Sequence, residues 1–229
     1  MPLPNYYRYG DLKEYEDVFL QGKEVKKVKK SEILKSYLDN VENYYYLKKG
    51  LIKVKACHID GYEKIMHITG AGCMEPVFSF EDIPIWRENF QYEAYMDIEV
   101  TVFTKQEVIQ RLEKYPGLLR KMYDNTVKSL YSSDFNTMRI LYDEGFRRMC
   151  DFLYYHPHDH KVIHNHERCQ MVITQNDMAS MIGIDRVNAN RMLQQLRNEG
   201  IIEMQRKHIV IRDKDKLALY CSNDVTIAE

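Results

Sequence analysis

Between Arg186 and Gln194 the chain carries Arg186, Val187, Asn188, Asn190, Arg191 and Gln194, and no acidic residue occurs from Arg186 to Asn198. These side-chain types read base edges: arginine bidentate to guanine, asparagine or glutamine bidentate to adenine, a small apolar group against the methyl of thymine. Set out at 100° per residue, Ala189, Met192, Leu193 and Leu196 gather on one side of a helix and Val187, Asn190, Arg191 and Gln194 on the other. That chemistry suits a helix laid in the major groove of DNA.

Two other constellations compete for attention. His156, His158, His160, His164 and His166 lie within eleven residues, in YYHPHDHKVIHNHERC, beside Asp159, Glu167 and Cys169. Such a tract could give three or four ligands to zinc or nickel, but Pro157 and the charged neighbours read better as a solvated surface loop. Trp86, Phe90, Tyr92 and Tyr95, with Tyr123, Thr126 and Leu130 facing them from a helix, have the makeup of a small-ligand pocket. The competing reading is that these rings fill a core.

The elements that must hold the base-reading face are legible. Thr174-Gln175-Asn176-Asp177 resembles a capping box, opening a short helix that stops at Gly183. Asp185 then caps a second helix, Arg186 to about Glu199, ended by Gly200. Two short helices joined by a glycine turn form a helix-turn-helix, with Met178, Ala179, Ile182, Gly183, Ile184, Ala189 and Met192 where its core and turn need them. Thr174 and Gln175, at the start of the first helix, complete the DNA-facing set. Ile201 to Ile211 reads as a two-stranded wing whose tip, Arg206, Lys207 and His208, is placed to touch phosphate.

Upstream, Leu119, Met122, Thr126, Leu130, Ser133, Thr137 and Ile140 recur at three and four residues, the seam of a long helix of about 25 residues that wants a partner. From Tyr6 to Phe103, short β-prone segments such as Tyr44 to Leu47, Leu51 to Lys55 and Lys64 to Ile68 repeat about every ten residues between turns such as Asp60-Gly61, which predicts an antiparallel β-roll. The fold class is therefore α+β: a β-roll over 1–105, a long helix over 106–144 and a winged helix-turn-helix over 145–229.

Composition sets limits on partners. The formal net charge of -1 looks unfavourable for DNA. Yet Arg186 to Arg212 holds Arg186, Arg191, Arg197, Arg206, Lys207 and Arg212 against only Glu199 and Glu203, so the global balance averages a small positive surface with a neutral remainder. Five scattered cysteines without a C-x-x-C pair, no run of about 18 apolar residues and no export signal point to a reducing, cytoplasmic, membrane-free setting. No phosphate loop, carboxylate pair or Ser, His and Asp arrangement points to an enzyme.

With KSEILKSYLDNVENYYYLKKG followed by LIKVKACHIDGYEKIMHITGAG, and ITQNDMASMIGIDRVNANRMLQQLRNEGII near the C-terminus, the chain resembles the Crp/Fnr superfamily of bacterial transcription regulators over nearly its whole length. The resemblance implies a cupin-like roll of the cyclic-nucleotide-binding kind and a homodimer through the long helix. It also implies recognition helices on a palindrome of double-stranded DNA, RNA polymerase as a further partner, a small-molecule effector in the roll, and a hinge near Glu144-Gly145. The cyclic-AMP-binding members resemble one another in a Gly-Glu pair followed by Arg-Ser. Here Met74-Glu75-Pro76 keeps only the glutamate, and Arg87 is the nearest cation, so Glu75, Trp86, Arg87, Tyr92, Tyr95, Tyr123, Thr126 and Leu130 are the candidate effector residues for a ligand other than cyclic AMP. An iron-sulfur cluster is unexpected because Cys57 is the first cysteine. A haem- or metal-dependent sensor, with Cys73, His58 and His67 as candidate ligands, and a ligand-binding module without DNA binding are the alternatives. Arg186 and Arg191 match the family's two arginines, but Val187 stands where its glutamate would, which implies a different half-site.

Overall fold

The computed structural model describes residues 6–8, 10–36, 43–81, 89–164, 173–205 and 208–222, with backbone alone at 156–164 and 208. Its contacts divide the chain into a unit of residues 6–130 and a unit holding residues 131–229, the division falling inside a long helix.

The first unit contains β1 (Tyr7–Arg8), α1 (Glu16–Leu20), β2 (Lys26–Val28), β3 (Ile33–Lys35), β4 (Tyr44–Lys49), β5 (Leu51–Cys57), β6 (Glu63–Gly70), β7 (Cys73–Glu75), β8 (Phe90–Ala94) and β9 (Ile98–Phe103). It continues with α2 (Lys105–Lys114) and the first half of α3 (Pro116–Tyr142). One sheet has the order β1-β6-β5-β8-β3 and the other β2-β9-β4-β7; every pairing is antiparallel except β1 with β6. The expected segments at Tyr44, Leu51 and Lys64 are thus β4, β5 and β6, and Gly61, with φ +83°, turns the last two by giving its N–H to His58 O at 2.9 Å. Gly50 has φ +91°, and a Cβ there would sit 2.7 Å from both Asp97 O and Ile98 Cγ2, so only glycine lets β4 turn into β5 under that strand.

The roll buries two layers. Leu47, Ile98 and Val100 from one sheet meet Ile52, Val54, Tyr92 and Ala94 from the other, as side chains alternating along each strand must when both faces are covered. On the outer face of the four-stranded sheet, Tyr44, Tyr46, Met74 and Phe103 pack under Leu12, Phe19, Val108, Leu112 and Leu118. Phe19 stacks on Tyr46 with centroids 4.3 Å apart. Each such fully buried side chain stabilises by about 1.5–3 kcal/mol.

A capping box opens α2: Glu107 N–H donates to Thr104 Oγ1 at 3.3 Å and Thr104 N–H to Glu107 Oε2 at 2.8 Å. Thr104-Lys105-Gln106-Glu107 carries that signal in the sequence, although the long-helix pattern masks it. Helix α2 ends at Lys114, and Pro116 begins α3, whose first turn tolerates a residue without an N–H.

The second unit holds the end of α3, then α4 (Gly145–His164), α5 (Gln175–Ile182), α6 (Arg186–Asn198), β10 (Ile202–Gln205), β11 (His208–Ile211) and α7 (Lys214–Tyr220). The expected surface loop at the histidine tract is corrected: α4 runs unbroken through His156, His158, His160 and His164. Pro157 costs a helix interior about 3 kcal/mol, but Met149 to Tyr155 are all buried and anchor the preceding turns, so the helix persists past it. His166 lies outside the described residues. Among the described residues no helix is long and apolar enough to cross a membrane.

Candidate nucleic-acid interface

The helix-turn-helix is assembled from its caps inward. Thr174 Oγ1 accepts the N–H of Asp177 at 3.0 Å, and its hydroxyl donates to Asp177 Oδ2 at 2.8 Å. The expected reciprocal box is thus half present, the aspartate taking the hydroxyl rather than the backbone N–H that a longer glutamate would reach. At the other end of α5, Gly183 takes the left-handed conformation, φ 71° and ψ 45°, and Ile184 N–H returns to Ala179 O at 3.0 Å. A residue with a Cβ is strained there, which is why the turn is glycine.

Asp185 Oδ1 then accepts Asn188 N–H at 2.8 Å and opens α6. That backbone bond, chiefly, holds the Asp185 carboxyl below its usual range, so the cap is charged at neutral pH at the positive end of the helix. Met178, Ala179, Ile182, Ala189, Leu193 and Leu196 are buried, while Ile184 and Met192 are half-buried. The wing closes underneath: Ile201 O accepts Arg212 N–H at 2.8 Å, and Ile202 pairs with Ile211 and Gln205 with His208.

This scaffold presents Arg186, Val187, Asn190 and Arg191 to solvent on one face of α6, with Val187 71% exposed. Two of the expected readers are engaged elsewhere. Asn188 Nδ2 donates to Asp185 Oδ2, and Gln194 Nε2 lies 3.9 Å from Met204 Sδ on the wing. Thr174 is exposed as the N-cap and Gln175 half-buried beside it. His208 opens β11, and Arg206 and Lys207 lie outside the described residues. The exposed row holds arginine, valine and asparagine over a fixed apolar core, side-chain types that can meet base edges in a groove.

Residues 147–220 match the family model of the Crp-like helix-turn-helix domain. The second unit carries a Crp-like helix-turn-helix domain. No curated protein matches the chain in sequence. Solved structures do match in fold. A CooA double mutant from Carboxydothermus hydrogenoformans shares 15% identity, covering 96% of this chain and 99% of that one, with a TM-score of 0.74. The c-di-GMP-responsive global regulator CLP of Xanthomonas campestris shares 16%, covering 87% and 98%, also at 0.74. A transcriptional regulator of the CRP/FNR family from Thermus thermophilus shares 16%, covering 86% and 97%, at 0.66. The Crp-like domain and the preceding roll and long helix together have the fold of Crp/Fnr regulators, as the resemblance implied.

The candidate effector residues fall into separate groups. Tyr92 and Phe90 pack into the layer between the sheets, the reading in which rings fill the core. Tyr95 is half-buried with Lys53 Nζ 5.7 Å from its ring. Tyr123, Thr126 and Leu130 are exposed on α3, and Trp86 and Arg87 lie outside the described residues. Glu75 is 3% exposed and belongs to a polar group of its own: Thr69 Oγ1 donates to it at 2.5 Å, His67 Nε2 lies at 2.9 Å and Arg8 Nη1 at 3.9 Å.

The residues considered for haem sit in three different surroundings. Burial pushes the Cys73 thiol up to about 12, His67 is committed to Glu75, and His58 pairs with Asp60 at an exposed hairpin tip. Among the described residues no three histidine, cysteine or acidic side chains are grouped to hold a metal ion.

Proposed function

We propose that the protein is a cytoplasmic, sequence-specific transcription regulator, a homodimer that sets the Crp-like helix α6 of each protomer into the major groove of a palindromic site. The observation that carries this reading is the exposed face of α6, with Arg186, Val187, Asn190 and Arg191 held over buried Ala189, Leu193 and Leu196. Arg186 and Arg191 serve as guanine readers, Asn190 as an adenine reader and Val187 as a contact to a thymine methyl. Thr174 and Gln175, at the α5 N-terminus, and the wing residues Arg206, Lys207 and His208 take phosphate and fix register.

Dimerisation is supported by α3. Leu119, Tyr123, Leu130 and Ile140 are all exposed in the single chain, large apolar groups on one side of the helix that a second α3 would cover. A small-molecule effector acts on the roll, and it is not cyclic AMP. Oε1 of Glu75, the glutamate that survives from the cyclic-AMP pattern, is already engaged by Thr69 and His67, with Arg8 nearby. No catalytic step is assigned to the chain, and RNA polymerase is the further partner such a regulator meets.

Selection of duplexes from a random pool with the full-length protein tests the reading. Enrichment of an inverted repeat with one half-site per protomer is expected. Retention of every sequence alike, with a steep salt dependence, would show that only phosphate is contacted.

A further inference from the structure

Arg148 is 8% exposed, and among the described residues its guanidinium donates to main-chain carbonyls. Nε donates to Ile182 O at 2.8 Å and Nη2 to Gly183 O at 3.2 Å, both at the C-terminus of α5. Nη1 donates to Asp143 O and lies 3.5 Å from Ile140 O, at the C-terminus of α3. The last carbonyls of a helix lack partners within the helix and carry the negative end of its dipole. One buried cation therefore caps two helices at once, and one of them, α5, ends in the turn that aims α6.

Two further observations concern the same joint. Arg139, 5% exposed near the end of α3, pairs with Asp143 at 2.7 Å and with Asp151 of α4, and its Nη1 donates to Ser222 Oγ at 2.6 Å. Ser222 N–H in turn donates to Asp151 Oδ1 at 2.9 Å. Gly145, where the resemblance places a hinge, is not among the glycines with positive φ. A Cβ on it would stand 3.0 Å from Ile184 Cγ2 and 3.3 Å from Met192 Cε. Gly145 is thus a glycine of close approach, bringing the α3–α4 corner onto the turn and the recognition helix.

We propose that Arg148 is a positioning residue for DNA reading: it fastens the α5–α6 turn to the end of α3, so that the last turns of α3 and the recognition helix move as one body and Gly145 is not a pivot. The inference rests on the DNA-reading function above. It adds that a displacement of the α3 terminus reaches α6 without slack, because the charge that satisfies one helix end also satisfies the other. Separating the two leaves a buried guanidinium or a set of buried carbonyls without partners.

The test uses the full chain with Arg148→Met, of similar length but without donors, and Arg148→Lys, which keeps the charge but cannot span both helix ends. Hydrogen exchange is followed at the amides of Ile140 to Asp143 and of Gly183 to Asn188. Affinity is measured for the selected duplex and for a scrambled one of equal length. In the unaltered protein the two amide groups open together. In Arg148→Met the turn amides exchange about 10- to 100-fold faster than those of α3, and the ratio of specific to scrambled affinity falls about tenfold or more, the scale of lost hydrogen bonds to a charged group. Arg148→Lys falls between. Exchange raised uniformly through the unit, or equal weakening on both duplexes, marks a merely structural arginine and overturns the proposal. Separate opening of the two amide groups in the unaltered protein overturns it as well. If the unaltered protein does not discriminate between duplexes, the DNA-reading function fails, and the exchange measurement still decides the clamp.

Discussion

Val187 offers methyl groups and no hydrogen-bonding atom, and it stands 71% exposed in the first turn of α6. A glutamate there would accept from cytosine, and valine has nothing to accept with. Val187→Glu is expected to exchange the preferred base pair at one position of each half-site, in selection from a random pool, and to leave the other positions as they were. An unchanged consensus would remove Val187 from the set of readers. Inside the roll, His67 and Glu75 make a prediction about acid. Burial, then the charge of Arg8, holds His67 below its usual value. Burial works upward on Glu75, but His67, Arg8 and Thr69 outweigh it and hold the carboxyl low. Both groups are thus more readily protonated in the unfolded chain, so the stability they contribute is complete above about pH 6.5 and is lost as the pH falls, His67 acting first and Glu75 at lower pH. His67→Gln keeps a donor for Glu75 but cannot titrate. Its melting midpoint should fall less than that of the unaltered protein between about pH 7.5 and about pH 5.5, and parallel curves would refute the assignment. The exposed face carrying Arg186 and Val187 was legible because the spacing of the buried Ala189, Leu193 and Leu196 fixes which side of the helix meets solvent. Arg148 was not, because its partners are backbone carbonyls from residues 140, 143, 182 and 183, which have no side-chain signature.

At the scale of elements, caps and turns were the most legible features, since each needs a particular side chain at a particular place. Thr174, Gly183 and Asp185 hold the expected ends of α5 and α6. Thr174→Ala removes the acceptor for Asp177 N–H and should cost about 1 kcal/mol, read as a lower denaturant midpoint at unchanged slope. Helix α4 was misread for the opposite reason. Proline and histidine following a helical stretch signal a loop locally, whereas the buried run from Met149 to Tyr155 decides the matter from a distance. Sequence rules that weigh one residue at a time cannot register that anchoring. The roll shows the same division: the Asp60-Gly61 turn was plain, but the parallel addition of β1 beside β6 joins residues sixty apart and leaves no local pattern.

For the molecule as a whole, the decisive property is the apolar row along α3. Of the residues recurring at three and four, Leu119, Leu130 and Ile140 are exposed large apolar groups, and Thr126 and Thr137 return their hydroxyls to Met122 O and Ser133 O, each at 2.9 Å, which keeps those polar groups satisfied on their own helix. Leu130→Glu places a carboxylate in that seam. It is expected to convert the sedimenting species from dimer to monomer and to abolish binding to a palindrome while sparing the melting cooperativity of the roll; an unchanged mass would place the dimer contact elsewhere. Among the described residues the four-stranded sheet ends at β2, which pairs with β9. A strand with an open side can recruit another molecule's strand and seed aggregates. Lys26, Lys27, Lys29 and Lys30 are all exposed along this border, and two such borders would repel each other on approach. The lysines that lend the chain no specificity toward DNA therefore guard its colloidal behaviour, by making a second copy an unfavourable neighbour for this border.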